Sequence, residues 1–277
     1  MATIDDLIRL APPPAAPVNA TGDWAAVEAA LGLLLPADYK ILIGRYGLGR
    51  FHDIFALTPF DGRNADLAEL VTAAKGLVEE NGSFRDEFPE YFPHPLYPES
   101  GGLLPWARDG NGVQMCWLTS GPADRWPVVV WSADGDADRH DLNATGFLVA
   151  YLAKQIKHPR PPQSPYFEPF RERTHVYIGL TEGNLPYEQR LRILRAQLAP
   201  TADRGSFSRG DSRQDHFKAL GHDWLLTYET AYGHQIRVAF PPEDEARARA
   251  AILDAVRAMG CEVLRTTNHR GEPVAWA

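Results

Sequence analysis

The chain has 277 residues, 44% of them hydrophobic, and carries a formal net charge of -8 at pH 7. A chain of this length buries one large core or, more commonly, two cores of ordinary size. No run of about 18 apolar residues is present, and the start of the sequence is acidic and broken by prolines, so we expect neither a membrane span nor a secretory signal. These features predict a cytoplasmic protein.

The first predicted elements are two short helices within residues 24–46. An apolar stripe at helical spacing begins at Trp24, directly behind the helix-start signal Asp23. Pro36 suits the first turn of a second helix, and Gly47 stands where a helix that ends in a left-handed cap would place its glycine. The pattern therefore predicts two helices that meet at an angle.

Gly47 and Gly49 raise the question of a phosphate-binding loop. Such a loop needs its glycines between a strand and the N-terminus of the following helix, where backbone amides point at the anion. Here the glycines follow a helix and lead into a predicted extended segment at residues 51–57. We interpret them as a cap and a turn, and expect no nucleotide site.

The remainder of the first half predicts an α+β layout. Residues 65–82 form an amphipathic helix pattern that stops at a glycine, and residues 143–158 form another behind the cap candidate Asn143. Three strand-like runs lie between the two helices and are expected to be consecutive and antiparallel: LLPWARDG, GVQMCWLTS and WPVVVWSADG. In the second run, alternation places Val113, Met115 and Trp117 on one face.

This ordered set of motifs carries a family resemblance. The pattern W..VE..LG..LPADYK.L...YG.G.F, followed by GGLLPWARDGNG...CWL, VVVWSADG and FLVAYL, resembles the SUKH superfamily over residues 24–157. That superfamily is named for fungal cell-wall synthesis regulators and bacterial immunity proteins. The resemblance implies an α+β fold with a mixed sheet, no catalysis and, in bacteria, a cytosolic protein that neutralises a toxin domain, often a nuclease. Members with other roles exist, so the partner stays open.

The excess negative charge lies in the same region. Residues 1–160 hold 21 acidic against 13 basic residues, whereas residues 161–277 hold 15 of each. This charge repels nucleic acid and favours a cationic partner such as a basic nuclease domain, although a solvated, solubilising surface explains it as well. Trp126, between Arg125 and Pro127 in a predicted turn, is expected to be an exposed anchor. Four other tryptophans are expected in the core: Trp24, Trp106, Trp117 and Trp131.

The run DGDADRHD, residues 134–141, alternates aspartates in a way that resembles a calcium loop. The sixth and twelfth positions of such a loop require Gly and Glu, and here they are Arg and Thr, so we predict a charged hairpin or loop tip instead. We predict that these aspartates, together with the earlier Asp124, form a negatively charged rim that contacts a partner. The predicted partner-binding residues are Asp124, Trp126, Asp134, Asp136 and Asp138.

A second domain is predicted after a linker. We place the first domain at residues 1–158, a proline-rich linker at 159–170 and a second domain at 171–277. The second domain has the element order β-α-β-β-α-β of a ferredoxin-like, split β-α-β fold. Within it, residues 202–215 are rich in Ser, Gly and Arg and are predicted to be a flexible loop.

No pattern in the chain predicts catalysis or a bound metal or cofactor. The cysteines, Cys116 and Cys261, lie outside any Cys-x-x-Cys motif and are expected to be small buried strand residues, and the histidines match no metal signature. The preferred hypothesis is a non-catalytic immunity protein whose second domain adds contact surface, a homodimer interface or a second specificity. The alternative is a recruiter domain fused to a small-molecule sensor or enzyme that uses His175, His222 and His234.

Overall fold

The computed structural model describes residues 2–60, 69–132, 136–158 and 161–276. The chain divides into two compact units, Met1–Phe170 and Arg171–Ala277, called here the first and second units. Each unit combines helices with one antiparallel sheet, so the predicted α+β class is confirmed. No helix within the described ranges is both long enough and apolar enough to cross a membrane.

The first unit is built around a seven-stranded sheet. Its helices are α1 (Ile4–Leu10), α2 (Trp24–Leu31), α3 (Ala37–Tyr46), α4 (Glu69–Glu87) and α5 (Ala144–Leu152). Its strands are β1 (Gly49–Phe51), β2 (Ile54–Ala56), β3 (Leu103–Asp109), β4 (Gln114–Leu118), β5 (Val128–Trp131), β6 (Ala137–His140) and β7 (Phe167–Pro169). The strand order is β6-β5-β4-β3-β2-β1-β7. All strand pairs among the described residues are antiparallel, which corrects the mixed sheet that the resemblance implied.

The sheet of the first unit buries apolar side chains on both faces. Met115 and Trp117 of β4 belong to the larger core, which also takes side chains from α2, α3 and α5. Cys116, between them in the strand, belongs to a smaller core on the opposite face together with Leu77 of α4 and Trp131 of β5. The period-two alternation predicted for β4 is therefore confirmed.

The start of α2 and the Gly47 helix end lie where the sequence predicts, but the predicted left-handed cap at Gly47 is wrong, because its ψ of -153° is outside the αL region. The side chain of Asp23 accepts a hydrogen bond from the amide of Ala26 at 3.1 Å and begins α2. Gly47 ends α3 with φ +63°, and a Cβ at this position would lie 2.1 Å from the carbonyl oxygen of Val18. The glycine is thus required by both its φ angle and the close approach of another backbone segment. The predicted extended segment that follows is the short β1–β2 hairpin.

Several boundaries differ from those predicted. Helix α4 runs through Gly82 to Glu87, because one glycine costs a helix only about 1 kcal/mol and packing at its end outweighs that cost. The first four residues of that predicted helix lie outside the described residues. Helix α5 ends at Leu152, earlier than predicted. Strand β7 lies inside the predicted linker and pairs with β1, so the linker's second part belongs to the first sheet.

The second unit has a six-stranded sheet. Its elements are β8 (Thr174–Leu180), α6 (Tyr187–Gln197), β9 (Thr201–Arg209), β10 (Ser212–Ala219), β11 (Trp224–Glu229), β12 (Gln235–Phe240), α7 (Glu245–Ala258) and β13 (Val263–Asn268). The strand order is β13-β8-β12-β11-β10-β9. Strands β13, β8, β12 and β11, with α6 and α7, follow the predicted split β-α-β order. The β9–β10 hairpin extends that sheet at one edge.

The predicted flexible loop at residues 202–215 is wrong, because residues 202–209 lie in β9, residues 212–215 lie in β10, and a two-residue turn joins them. The Ser, Gly and Arg composition has low strand propensity, but the hairpin is fixed by pairing of β10 with β11. Phe217 and Ala219 of β10 lie opposite Leu226 and Trp224, and all four side chains are buried in the core of the second unit. Tertiary packing therefore overrides local composition here.

Candidate partner-binding surfaces

Trp126 is not an exposed anchor. It is 6% exposed, and its ring lies 6.2 Å from that of Trp117 within the larger core of the first unit. A 3₁₀ turn at Ala123–Arg125 turns the chain so that the indole points inward, where Nε1 donates to the carbonyl of Gly121 at 3.0 Å. The expectation of exposure is wrong because long-range packing orients this residue. The other tryptophans expected in the core pack into the cores of the first unit: Trp24, Trp106, Trp117 and Trp131.

Asp124 is exposed and caps a helix. Its Oδ1 accepts a hydrogen bond from the amide of Ala37 at 2.7 Å, at the first residue of α3. Asp38 follows in the same helix and accepts from the amide of Thr145 at 2.9 Å, near the start of α5. Burial raises the pKa of Asp38 above its ordinary value, and the negative charge of Asp124 adds to this rise. Asp124 thus bonds to the start of α3 and Asp38 to the start of α5, so both carboxylates have structural roles.

Asp136 and Asp138 are exposed at the β5–β6 hairpin, as the predicted charged hairpin requires. Asp138 lies on β6, the outermost strand of the sheet on that side, beside Arg139, which pairs with Asp141 at 2.8 Å. Charges on an edge strand discourage the addition of another strand. Asp134 lies outside the described residues.

The predicted rim is not one continuous surface. Asp124 precedes β5, whereas Asp136 follows it, so the two residues lie beyond opposite ends of a strand about 10 Å long. Trp126, the proposed apolar centre of the rim, is inside the protein. The described members of the set therefore form a cap at one end of β5 and a charged hairpin at the other.

A different surface combines exposed aromatic rings with carboxylates. We define the aromatic patch as Phe84, Phe88, Tyr91 and Phe92, from the end of α4 and the 3₁₀ turn Pro89–Tyr91 that follows it. Three acidic residues interleave with these rings and are exposed: Asp86, Glu87 and Glu90. The sequence SFRDEFPEYF contains these rings and carboxylates. Because the helix was predicted to stop at the glycine at residue 82, the sequence pattern did not place the rings together at a helix end.

A cleft of about 480 Å³ lies between the first half of α4 and the sheet. Small residues of the helix, among them Ala73 and Gly76, line it on one side, and Arg108 and Gln114 of the sheet line it on the other. Glu69 of the helix reaches Arg108 at 3.7 Å across the cleft. Both charged side chains are about half exposed, so this pair contributes little stability.

The three histidines of the second hypothesis lie in three separate environments. His175 is exposed on β8, and its ring lies 6.2 Å from that of His269. His222 stacks on Trp224 at 4.4 Å in the turn before β11. His234 is buried, and its Nε2 lies 2.8 Å from the hydroxyl of Tyr228.

The environments of His175 and His234 disfavour their charged forms. Partial desolvation of the His175 ring and burial of the His234 ring lower the pKa of both, helped by His269 beside His175 and by the guanidinium of Arg190 beside His234. Both cysteines are buried thiols: Cys116 lies in β4 as expected, and Cys261 precedes β13. Within the described part of the chain, no group of three or more His, Cys, Asp or Glu side chains is arranged to hold a metal ion.

Comparison with known proteins finds a family match for one region of the chain. Residues 21–147 match the family model described as SMI1-KNR4 cell-wall, one of the SUKH models. The matched segment lies within the first unit and runs from the start of α2 into α5. No curated protein matches the chain.

Proposed function

Residues 21–147 belong to the SUKH superfamily, and on this premise we propose that the protein is a non-catalytic immunity protein that binds and neutralises a cognate toxin domain. The family match is the observation that carries the proposal. The exposed carboxylates of the first unit support it, because they complement a cationic partner and raise its rate of association.

The proposal includes the setting and the partner. The protein acts in the bacterial cytoplasm, and its partner is a toxin protein with a basic surface, such as a nuclease domain, rather than a nucleic acid. The two units act as separate domains, and the second adds contact surface, a homodimer interface or a second specificity. The three separate histidine environments give no specific support to a sensor or enzyme role for the second unit.

The test is coexpression with the protein encoded by the adjacent reading frame. We expect that protein alone to stop cell growth, coexpression to restore growth, and the two purified proteins to bind with a Kd in the nanomolar range, as is common for tight protein pairs. A purified mixture that shows no binding, together with growth arrest that coexpression does not relieve, rejects the proposal. A variant with the buried Trp106→Asp change serves as the unfolded control.

A further inference from the structure

The rings of the aromatic patch cluster at the end of α4, and two of them are exposed. The rings of Phe84 and Phe88 lie 5.0 Å apart, and Tyr91 lies 5.8 Å from Phe84. Phe92 anchors this group, because it is 9% exposed and packs on Trp131 at 5.7 Å. Phe84 and Tyr91 are each 38% exposed. Clustered exposed rings of this kind mark surfaces that are covered by a partner.

The charges around the patch are one-sided. Asp86, Glu87 and Glu90 are exposed and have no cationic neighbour among the ion pairs of the described residues. The one arginine within the segment, Arg85, is already engaged, because its Nη1 lies 2.5 Å from Oε1 of Glu99. A ligand at this surface therefore meets carboxylates without an ion-pair partner beside two partly exposed rings, Phe84 and Tyr91.

A groove of about 480 Å³ adjoins the rings and gives the patch depth. Phe92 and three prolines form apolar parts of its wall, and Asp86 contributes a carboxylate. Glu99 also lines the groove but is paired with Arg85, which lines it together with His94. A long side chain that is apolar along its stem and positively charged at its end fits such a lining. Arginine fits better than lysine, because the planar guanidinium stacks on a ring and pairs with a carboxylate through two hydrogen bonds.

We propose that the aromatic patch and its carboxylates form a docking surface for an arginine-bearing segment of a protein partner. This inference rests on the proposed function and deepens it, since it assigns the contact to residues 84–92 and specifies its chemistry. Guanidinium groups stack on Phe84 and Tyr91, and Glu87 and Glu90 pair with them at the rim. Because exposed charges are screened by salt, binding weakens as ionic strength rises.

Fluorescence anisotropy with synthetic peptides tests the surface directly. The probes are a labelled ten-residue peptide of alternating Arg and Gly and its Lys/Gly and Glu/Gly counterparts. We expect the order Arg above Lys above Glu for the full-length protein, and affinity for the Arg peptide to fall about tenfold in E87K/E90K and in F84A/Y91A. The control D136K/D138K reverses the same amount of charge on β6 and is expected to change affinity by less than about twofold.

Circular dichroism melts show whether each variant is folded, and E87Q/E90Q provides a milder change if one is not. Two results overturn the inference: equal affinity of the three peptides for the wild-type protein, or equal loss of affinity in the patch and β6 variants.

The protein from the adjacent reading frame separates this inference from the proposed function. If it binds the wild type and E87K/E90K equally, the docking surface is wrong and the function stands. If it does not bind at all, the function fails and the peptide affinities alone decide the docking surface.

Discussion

Two stretches of the first unit combine aromatic residues with carboxylates, and they use them in opposite ways. In residues 124–138 the aromatic residue, Trp126, is buried; Asp124 and Asp136 lie beyond opposite ends of β5, and Asp138 lies beside it on β6. In residues 84–92 two exposed rings, Phe84 and Tyr91, share one surface with exposed carboxylates. Stretches of similar composition thus form a buried, structural part of the fold in one place and a candidate docking surface in the other. Which of the two a sequence forms depends on where the rings point.

The largest difference is expected between truncations of the buried and the exposed rings. Trp126→Ala removes an indole from the larger core and leaves a cavity, so we expect the free energy of unfolding to fall by about 3–5 kcal/mol. Tyr91→Ala removes a ring that is 38% exposed and should cost less than about 1 kcal/mol. Urea denaturation of both variants measures this. Equal losses in the free energy of unfolding would contradict the difference between the buried and the exposed rings.

Asp124→Ala is expected to have the next largest effect. It removes the carboxylate that accepts from the amide of Ala37, and the loss of such a cap costs about 1 kcal/mol. Affinity for a partner should not change, because we assign this aspartate to the helix start. Denaturation and peptide binding of this variant measure the two effects separately. A variant with unchanged stability and weaker binding would instead assign Asp124 to the partner-binding surface.

A smaller, pH-dependent effect is expected at Asp38. Its folded-state pKa is raised by burial and by Asp124, against the opposing hydrogen bond from the amide of Thr145. A carboxyl whose pKa is raised on folding contributes stability that is present below the unfolded value and is lost as pH rises through the folded one. The wild type should therefore gain stability relative to Asp38→Asn as pH falls from 7 towards 3.8. Denaturation of both proteins across this pH range measures the difference, and a difference that does not change with pH contradicts the assignment.

The smallest effect is expected from Asp136→Lys with Asp138→Lys. Both side chains are exposed on the hairpin, and surface substitutions of this kind change the free energy of unfolding by less than about 0.5 kcal/mol. Binding to the partner should also remain unchanged. A loss of binding in this variant, measured by anisotropy or calorimetry, would support the rim predicted from the sequence over the aromatic patch.

The sequence predicted the elements whose signals are local. The Asp23 cap, the Gly47 helix end and the alternation of β4 each follow from short-range rules, and the structure confirms them. Burial of Trp126 was not predictable in this way, because the turn signals around it favour exposure and only contact with Trp117 reverses that. The β9–β10 hairpin was missed for the same reason, since pairing with β11 outweighs its composition.

The candidate site was missed for a related reason. Gly82 is a reasonable stop signal when helix α4 is considered alone, and only the continued helix brings Phe84 and Phe88 together at its far end. One glycine therefore separated the predicted helix from the residues of the aromatic patch.

Hydrogen–deuterium exchange of the full chain, with and without the bound partner from the adjacent reading frame, tests the central claim most directly. We expect slower exchange in the backbone amides of residues 84–95 and no change in residues 136–140, because the partner covers the aromatic patch and leaves β6 open. Protection confined to residues 136–140, with exchange at residues 84–95 unaltered, would contradict this account.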